Sequence, residues 1–246
     1  MAPDPALASM RKIATRADVY PPAEDSFLLV DALAEIWRDE LATARPRLCV
    51  EIGTGSGYVA CSCALLAVKH GCGGWTRTRA SDVNPSAVEA CRETCAAHGV
   101  DEEACATARG DLLTPHEEAI AANGGCDVLL FNPPYVVTPS EEIYDPSSLT
   151  TTKREGEEGT TTASYRPAIT AAWAGGLRGR EVLDRILGDI KSWLRPNGGT
   201  FLVVAYAQND VEEMISILQN QGLEVEIAKR TQADEESLVV IKAVRL

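Results

Sequence analysis

Phe131-Asn132-Pro133-Pro134-Tyr135 is the stretch of this chain best equipped for chemistry. It ends the apolar run Val128-Leu129-Leu130, as a buried strand ends when it runs straight into a loop. Proline has no amide hydrogen and a fixed φ, so neither Pro133 nor Pro134 extends a sheet ladder. What stands at the strand's carboxyl end is a stiff platform with one amide side chain, free backbone carbonyls and one aromatic face. Such a platform suits a planar group whose nitrogen hydrogens need acceptors and whose flat side needs a stacking partner. The Asn132 oxygen and the Pro133 carbonyl are the candidate acceptors, Pro134 stiffens the turn, and Tyr135 is the stacking face. Asn-Pro alone is an ordinary turn. Its place after a strand, in a chain with a glycine-rich nucleotide loop, makes it a candidate site.

That loop is Gly53-Thr54-Gly55-Ser56-Gly57, with Glu51 two residues before the first glycine. Glycines at this spacing let backbone approach a ligand where a Cβ would clash. The pattern is Gly-x-Gly-x-Gly and not the dinucleotide fingerprint, but it closes a strand and opens a helix, the context such a loop requires. Asp82 ends the following strand, where a ribose diol needs an acceptor. Asp111 follows the third strand and is placed to accept from an adenine amino group. Tyr20-Pro21-Pro22-Ala23-Glu24-Asp25-Ser26 is a rigid turn before a helix, and its acids either cap that helix or edge a ligand site.

The elements that must hold these groups alternate. Strands are expected at Leu48–Ile52, Thr76–Ser81, Ala104–Arg109, Cys126–Phe131 and Thr200–Tyr206, and a closing antiparallel pair at Leu223–Ala228 and Leu238–Val244. A first helix carries Phe27, Leu29, Val30, Leu33, Ile36 and Trp37 on one face. A second runs from Tyr58 to about Lys69. A third is capped by Asn84 with Pro85 at its first position and Gly99 beyond its end. One helix carries Val182 through Leu194, and a last one carries Val211, Met214, Ile215 and Leu218. The pattern is α/β, one doubly wound sheet in a single domain over 18–246. Residues 1–17, rich in Ala and Pro, read as a flexible N-terminus. Residues of about 140–167 read as a low-complexity mobile insertion, too polar to offset their ordering entropy.

The 246 residues carry a net charge of −13 and no Lys/Arg cluster. A protein that grips nucleic acid ordinarily presents a basic patch to phosphates, so no nucleic acid is expected as a partner. The eight cysteines never occur as Cys-x-x-Cys and read as buried thiols in a reducing compartment, with no metal expected. Cys91 and Cys95, at helical spacing, read as core. There is no secretory signal pattern and no membrane-length apolar run, which points to a cytoplasmic protein, or a nuclear one.

Taken together, Glu51 through Gly57, Asp82 and Asn132-Pro133-Pro134-Tyr135 resemble class I S-adenosylmethionine methyltransferases that methylate planar amide or amino nitrogens. Val19–Ser26, Phe131–Pro139 and Ala171-Ala172-Trp173-Ala174-Gly175-Gly176 with Gly179-Arg180-Glu181 narrow the resemblance to the eukaryotic HemK-like branch. Gln232-Ala233 and Glu236-Ser237-Leu238 match the same pattern. The resemblance implies a Rossmann-like seven-stranded sheet in the order 3-2-1-4-5-7-6 with the last strand antiparallel. It implies a cofactor, S-adenosyl-L-methionine, held by Tyr20, Ser26, Glu51, Gly53, Gly55, Gly57, Asp82, Asp111 and Asn132. The implied activity is methylation of the glutamine of the Gly-Gly-Gln motif in the class 1 translation release factor. The implied catalytic group is Asn132, Pro133, Pro134 and Tyr135. The implied partner is a small zinc-binding activator protein that adds to the edge of strand three, about 105–109. Protein lysine (histone) methylation and adenine amino methylation are the alternatives, since both use the same two acceptors.

Overall fold

In the computed structural model, which describes residues 7–143, 169–231 and 237–246, seven strands form one sheet in the order β3-β2-β1-β4-β5-β7-β6. They are β1 (Leu48–Ile52), β2 (Arg77–Asp82), β3 (Cys105–Arg109), β4 (Val128–Phe131), β5 (Gly199–Tyr206), β6 (Glu224–Arg230) and β7 (Leu238–Arg245). The first five pair in parallel, while β7 runs antiparallel to both β5 and β6. The expected order and the antiparallel closing strand both hold. A parallel sheet is covered on both faces, so its central strands read as unbroken apolar runs. Every residue of β1 and β4 is buried. Leu129, Leu130 and Phe131 alone contribute on the order of 1.5–3 kcal/mol each by leaving water.

One face of the sheet is covered by α1 (Glu24–Ile36), α2 (Tyr58–Lys69) and α3 (Pro85–Ala97). The other is covered by α4 (Glu117–Asn123), α5 (Glu181–Leu187), α6 (Ile190–Trp193) and α7 (Val211–Asn220). Asn84 caps α3 as expected, its side chain accepting from the Ser86 amide at 2.9 Å with Pro85 in the first turn. Helix α1 turns its Leu28, Leu29, Leu33 and Ile36 inward, but Phe27 stays 36% exposed, edge-on to Tyr58. Phe27 therefore does not belong to the inner face on which the sequence pattern placed it.

Two further expectations are corrected. The helix expected across Val182–Leu194 is two, because Asp189 leaves the helical region (φ −122°, ψ 12°) after the weak helix former Gly188. The break lets Ile190 and Leu194 both reach the sheet, fully buried. Residues 7–17, read as flexible, form a strap across α2 and α3. Buried side chains meet its backbone: the Ala8 amide donates to Ser62 Oγ (3.1 Å) and the Ala14 amide to Thr94 Oγ1 (3.0 Å). Ala-rich composition conceals this, because the partners lie far away in sequence. Of the insertion, Ser140–Glu142 makes one 3-10 turn, and from residue 144 to 168 it lies outside the described residues, as do Gln232, Ala233 and Glu236.

Candidate active site

The carboxyl ends of β1, β2 and β4 open into one pocket, at the point where a doubly wound sheet reverses its strand order. At the tip of β1 the chain needs three left-handed turns in five residues, with φ of +69° at Gly53, +52° at Gly55 and +80° at Gly57. Gly57 is further constrained by packing. A Cβ there would fall 2.6 Å from the Cα of Cys91 on α3, so only glycine lets α2 start this close to α3.

The acids around the turn are held by donors of the turn itself. Asp82 accepts from the Gly55 amide (Oδ2, 2.9 Å) and the Asn84 amide (Oδ1, 2.9 Å). Burial pushes its carboxyl up to about 6, against the pull of those amide donors. Glu51 is 2% exposed and accepts from Thr54 Oγ1 at 2.8 Å. Burial, reinforced by the neighbouring Cys91, raises its carboxyl well above the usual range despite that bond. Asp111 lines the pocket on the β3 side, but both of its oxygens are engaged by the Arg185 guanidinium of α5. A group seated there meets an ion pair rather than a bare carboxylate.

Beside the glycine turn lies the platform, since Ile52 pairs with Phe131 and a Cβ on Gly53 would fall 3.9 Å from the Asn132 carbonyl. Asn132, Pro133 and Pro134 line the pocket, and the Asn132 Oδ1 is buried with no hydrogen-bond partner. A buried acceptor left without a donor costs about 1–3 kcal/mol, a cost that a bound donor removes. Tyr20, before α1, and Asp25 and Ser26, in its first turn, close the wall. Of the residues expected at the site, the structure brings all but two to the pocket wall. Gly57 stands behind it, doing the packing just described. Tyr135 is turned toward α1: its hydroxyl donates to Asp25 Oδ2 at 3.0 Å and its ring lies against Tyr206.

What supports the platform from behind has no local signature in the chain. Asn209, 2% exposed, donates from Nδ2 to the carbonyls of Tyr135 (2.9 Å) and Arg178 (3.0 Å) and accepts the Tyr206 amide at Oδ1 (2.8 Å). Arg180, buried beside it, donates to the Asn209 carbonyl at 3.1 Å and pairs with Asp184 and Glu213. The Trp173–Gly176 segment runs alongside the chain after the platform. The Val136 amide donates to the Trp173 carbonyl (3.0 Å) and the Gly175 amide to the Val136 carbonyl (2.8 Å). A Cβ on Gly175 would meet the Pro134 carbonyl at 2.6 Å, which accounts for glycine in that motif.

Comparison with known proteins bears on the family and the fold. No family model matches the chain. It is 36% identical over 226 residues to Methyltransferase HEMK2 of Homo sapiens, covering 92% of this chain and 89% of that one. The chain belongs to the HemK-like methyltransferase family. A second HemK-like relative, the eRF1 methyltransferase catalytic subunit mtq2 of Schizosaccharomyces pombe, is 31% identical over 98% of this chain and 95% of its own. Among solved structures, the E. cuniculi Mtq2–Trm112 complex, responsible for methylation of the eRF1 translation termination factor, superposes with a TM-score of 0.52. That match has 21% identity and covers 93% of this chain and 99% of that one, a likeness of fold. The HemK-like motifs of this chain thus line the pocket at the carboxyl ends of β1, β2 and β4.

Proposed function

We propose that this chain transfers a methyl group from S-adenosyl-L-methionine to the side-chain amide nitrogen of a glutamine in the class 1 translation release factor, as the catalytic subunit of a heterodimer. The observation that carries the reading is the Asn132 Oδ1: a buried acceptor without a donor, on the pocket wall beside the glycine turn. An amide –NH2 brings two hydrogens, and Asn132 Oδ1 with the Pro133 carbonyl offers two acceptors.

The residues present fit the cofactor. Gly53 and Gly55 leave backbone bare against it, Asp82 presents carboxylate oxygens at the tip of β2, and Tyr20 and Ser26 close over it. Asp111, with its Arg185 partner, borders the end of the pocket suited to a purine amino group. When bound, S-adenosyl-L-methionine supplies a sulfonium methyl that is already electrophilic.

The protein's task is therefore orientation, which is worth roughly 7–11 kcal/mol in well-aligned reactions. Asn132 and Pro133, by accepting both amide hydrogens, fix the nitrogen and hold electron density on it. Pro134 and the Asn209 bond to the Tyr135 carbonyl keep those acceptors from swinging. Tyr135 itself acts through Asp25, tying the platform to the α1 wall instead of stacking on the substrate. No residue need remove the proton before transfer, since an alkylated amide nitrogen releases it readily to solvent.

The partner surface we propose is β3, which pairs with β2 on one side and forms the edge of the sheet on the other. Its Ala106, Thr107 and Ala108 are half-buried, and Thr107 Oγ1 is buried without a hydrogen-bond partner. A small zinc-binding activator protein adding a strand there completes the ladder. Action on a translation factor supports a cytoplasmic, or also nuclear, location. Among the described residues no helix is long and apolar enough to cross a membrane.

The test is mass spectrometry of purified release factor after incubation with this chain and cofactor, with and without the activator, and with Asn132→Ala as control. One added methyl on the Gly-Gly-Gln glutamine, absent with Asn132→Ala, supports the reading. Methylation of lysine or of adenine in its place would replace it.

A further inference from the structure

Cys91 and Cys95 stand one turn apart on the inner face of α3, and Cys105 opens β3 against them. All three are buried, and their sulfurs lie within 4.8 Å of one another. Helical spacing alone makes the first two core thiols, and only the fold adds the third. Sulfurs bound at about 2.3 Å to one ion in a common plane stand roughly 4 Å apart. The trio closes onto a shared centre with shifts of less than about 1 Å, within reach of small side-chain rotations. Among the described residues no other His, Cys, Asp or Glu joins this cluster. Zinc in protein sites takes four ligands as a rule. Three sulfurs without a fourth donor suit a soft cation of lower coordination number, and thiolates select monovalent copper.

We propose that Cys91, Cys95 and Cys105 form a three-sulfur site for monovalent copper, set directly behind the cofactor turn. Each thiol that binds gives a lone pair to the cation and its proton to solvent. No electron is transferred and copper stays monovalent. Because only thiolates ligate, metal binding releases protons and tightens as the pH rises. The site has no slack toward the cofactor. Thr54 Oγ1 lies 3.3 Å from the Cys91 sulfur while it donates to Glu51, and Gly57 abuts the Cys91 backbone.

The experiment is an anaerobic titration of the full chain with monovalent copper, added as its acetonitrile complex against a chromogenic copper chelator. X-ray absorption at the copper edge follows. The expected result is one equivalent with three sulfur neighbours, at least tenfold weaker in Cys105→Ser and unchanged in Cys63→Ser. The sulfur count on the wild-type chain needs no variant to fold, and retained cofactor binding by calorimetry shows that Cys105→Ser is folded. Two sulfurs, with binding lost in Cys63→Ser, would move the ion to the adjacent Cys49 and Cys63 thiols and overturn the proposal. So would equal affinity in Cys105→Ser, or no retained copper.

Discussion

The phenol of Tyr135 donates to the carboxylate of Asp25 across 3.0 Å, joining the residue that ends the platform to the helix that walls the pocket. Asp25 is 3% exposed and also accepts the Ser26 amide (2.6 Å) and the Ser26 hydroxyl (3.1 Å). One buried carboxylate thus sets the positions of two candidate cofactor and substrate residues. Tyr135→Phe keeps the ring and removes the donor. A hydrogen bond to a charged group is worth about 1.5–3 kcal/mol, so turnover is expected to fall roughly ten- to a hundredfold. Steady-state kinetics with release factor as substrate check this, and a wild-type rate would detach Tyr135 from the site.

Asn132→Ala removes one of two acceptors from the nitrogen while leaving the glycine turn intact. Turnover should drop by about 10²–10³, the usual effect of deleting one oriented hydrogen-bonding group at a reacting centre. Cofactor affinity, measured by calorimetry, should stay within about threefold, well under the 1.4 kcal/mol that a tenfold change represents.

With Asp82 as the proposed ribose acceptor, cofactor binding is expected to depend on pH. Its carboxyl titrates at about 6, and a ribose diol needs it as an ionised acceptor. Affinity is expected to be level well above that value and to weaken by up to about tenfold per unit below it. Asp82→Asn should bind weakly at all pH and show no such slope. The same shift acts on stability in the ligand-free chain. Between about pH 4 and 6 the folded state keeps a proton on Asp82 that the unfolded state has released, so this group's contribution declines as pH rises. Urea midpoints across that window report it.

His116 shifts the other way. It is 2% exposed, neither ring nitrogen has a hydrogen-bond partner, and burial with nearby Arg79 pushes it down to about 4. The unfolded chain takes up this proton near 6.5 and the folded chain only near 4. Stability is therefore lost as the pH falls between those values. His116→Leu should flatten the loss in an acid unfolding series and cost less than about 1 kcal/mol at neutral pH, because no hydrogen bond is broken.

Gly179→Ala tests the support behind the platform. The added Cβ would lie 2.1 Å from the Tyr135 carbonyl oxygen, at a φ of +67° that side chains avoid. Destabilisation of about 2–4 kcal/mol is expected, read as a lowered urea midpoint, with turnover reduced at temperatures where the chain is still folded.

How much of this was legible beforehand follows from where each signal resides. The strands themselves, the cap at Asn84 and the pocket residues Glu51, Asp82 and Asn132 were readable because each is marked by neighbours in sequence, whereas the strand order and the places of Tyr20 and Ser26 came with the family resemblance. Helix α4 was not, since its seven residues offer little more than one buried apolar side chain, Ile120. The roles of Asn209 and Arg180 had no local trace either. Both act on carbonyls brought near only by folding, and a lone Asn after a strand has many uses. Arg185 on Asp111 and Asp25 on Tyr135 are pairings between helix and loop that no spacing rule encodes. The order of residues 7–17 has no local signal, because nothing in Leu7 to Ala17 hints at the hydroxyls of Ser62 and Thr94 waiting on distant helices.

Asn84 does three jobs at once: it caps α3, its amide binds Asp82, and its Nδ2 donates to the Asp18 carbonyl at the end of the strap (2.8 Å). A clasp of this kind makes the first turn of the chain an indicator of what fills the cleft. Trypsin cutting after Arg16, which is itself pinned to Glu93, should slow when the nucleoside is seated and quicken when it leaves. Gel bands would then read occupancy directly, without a label on either molecule.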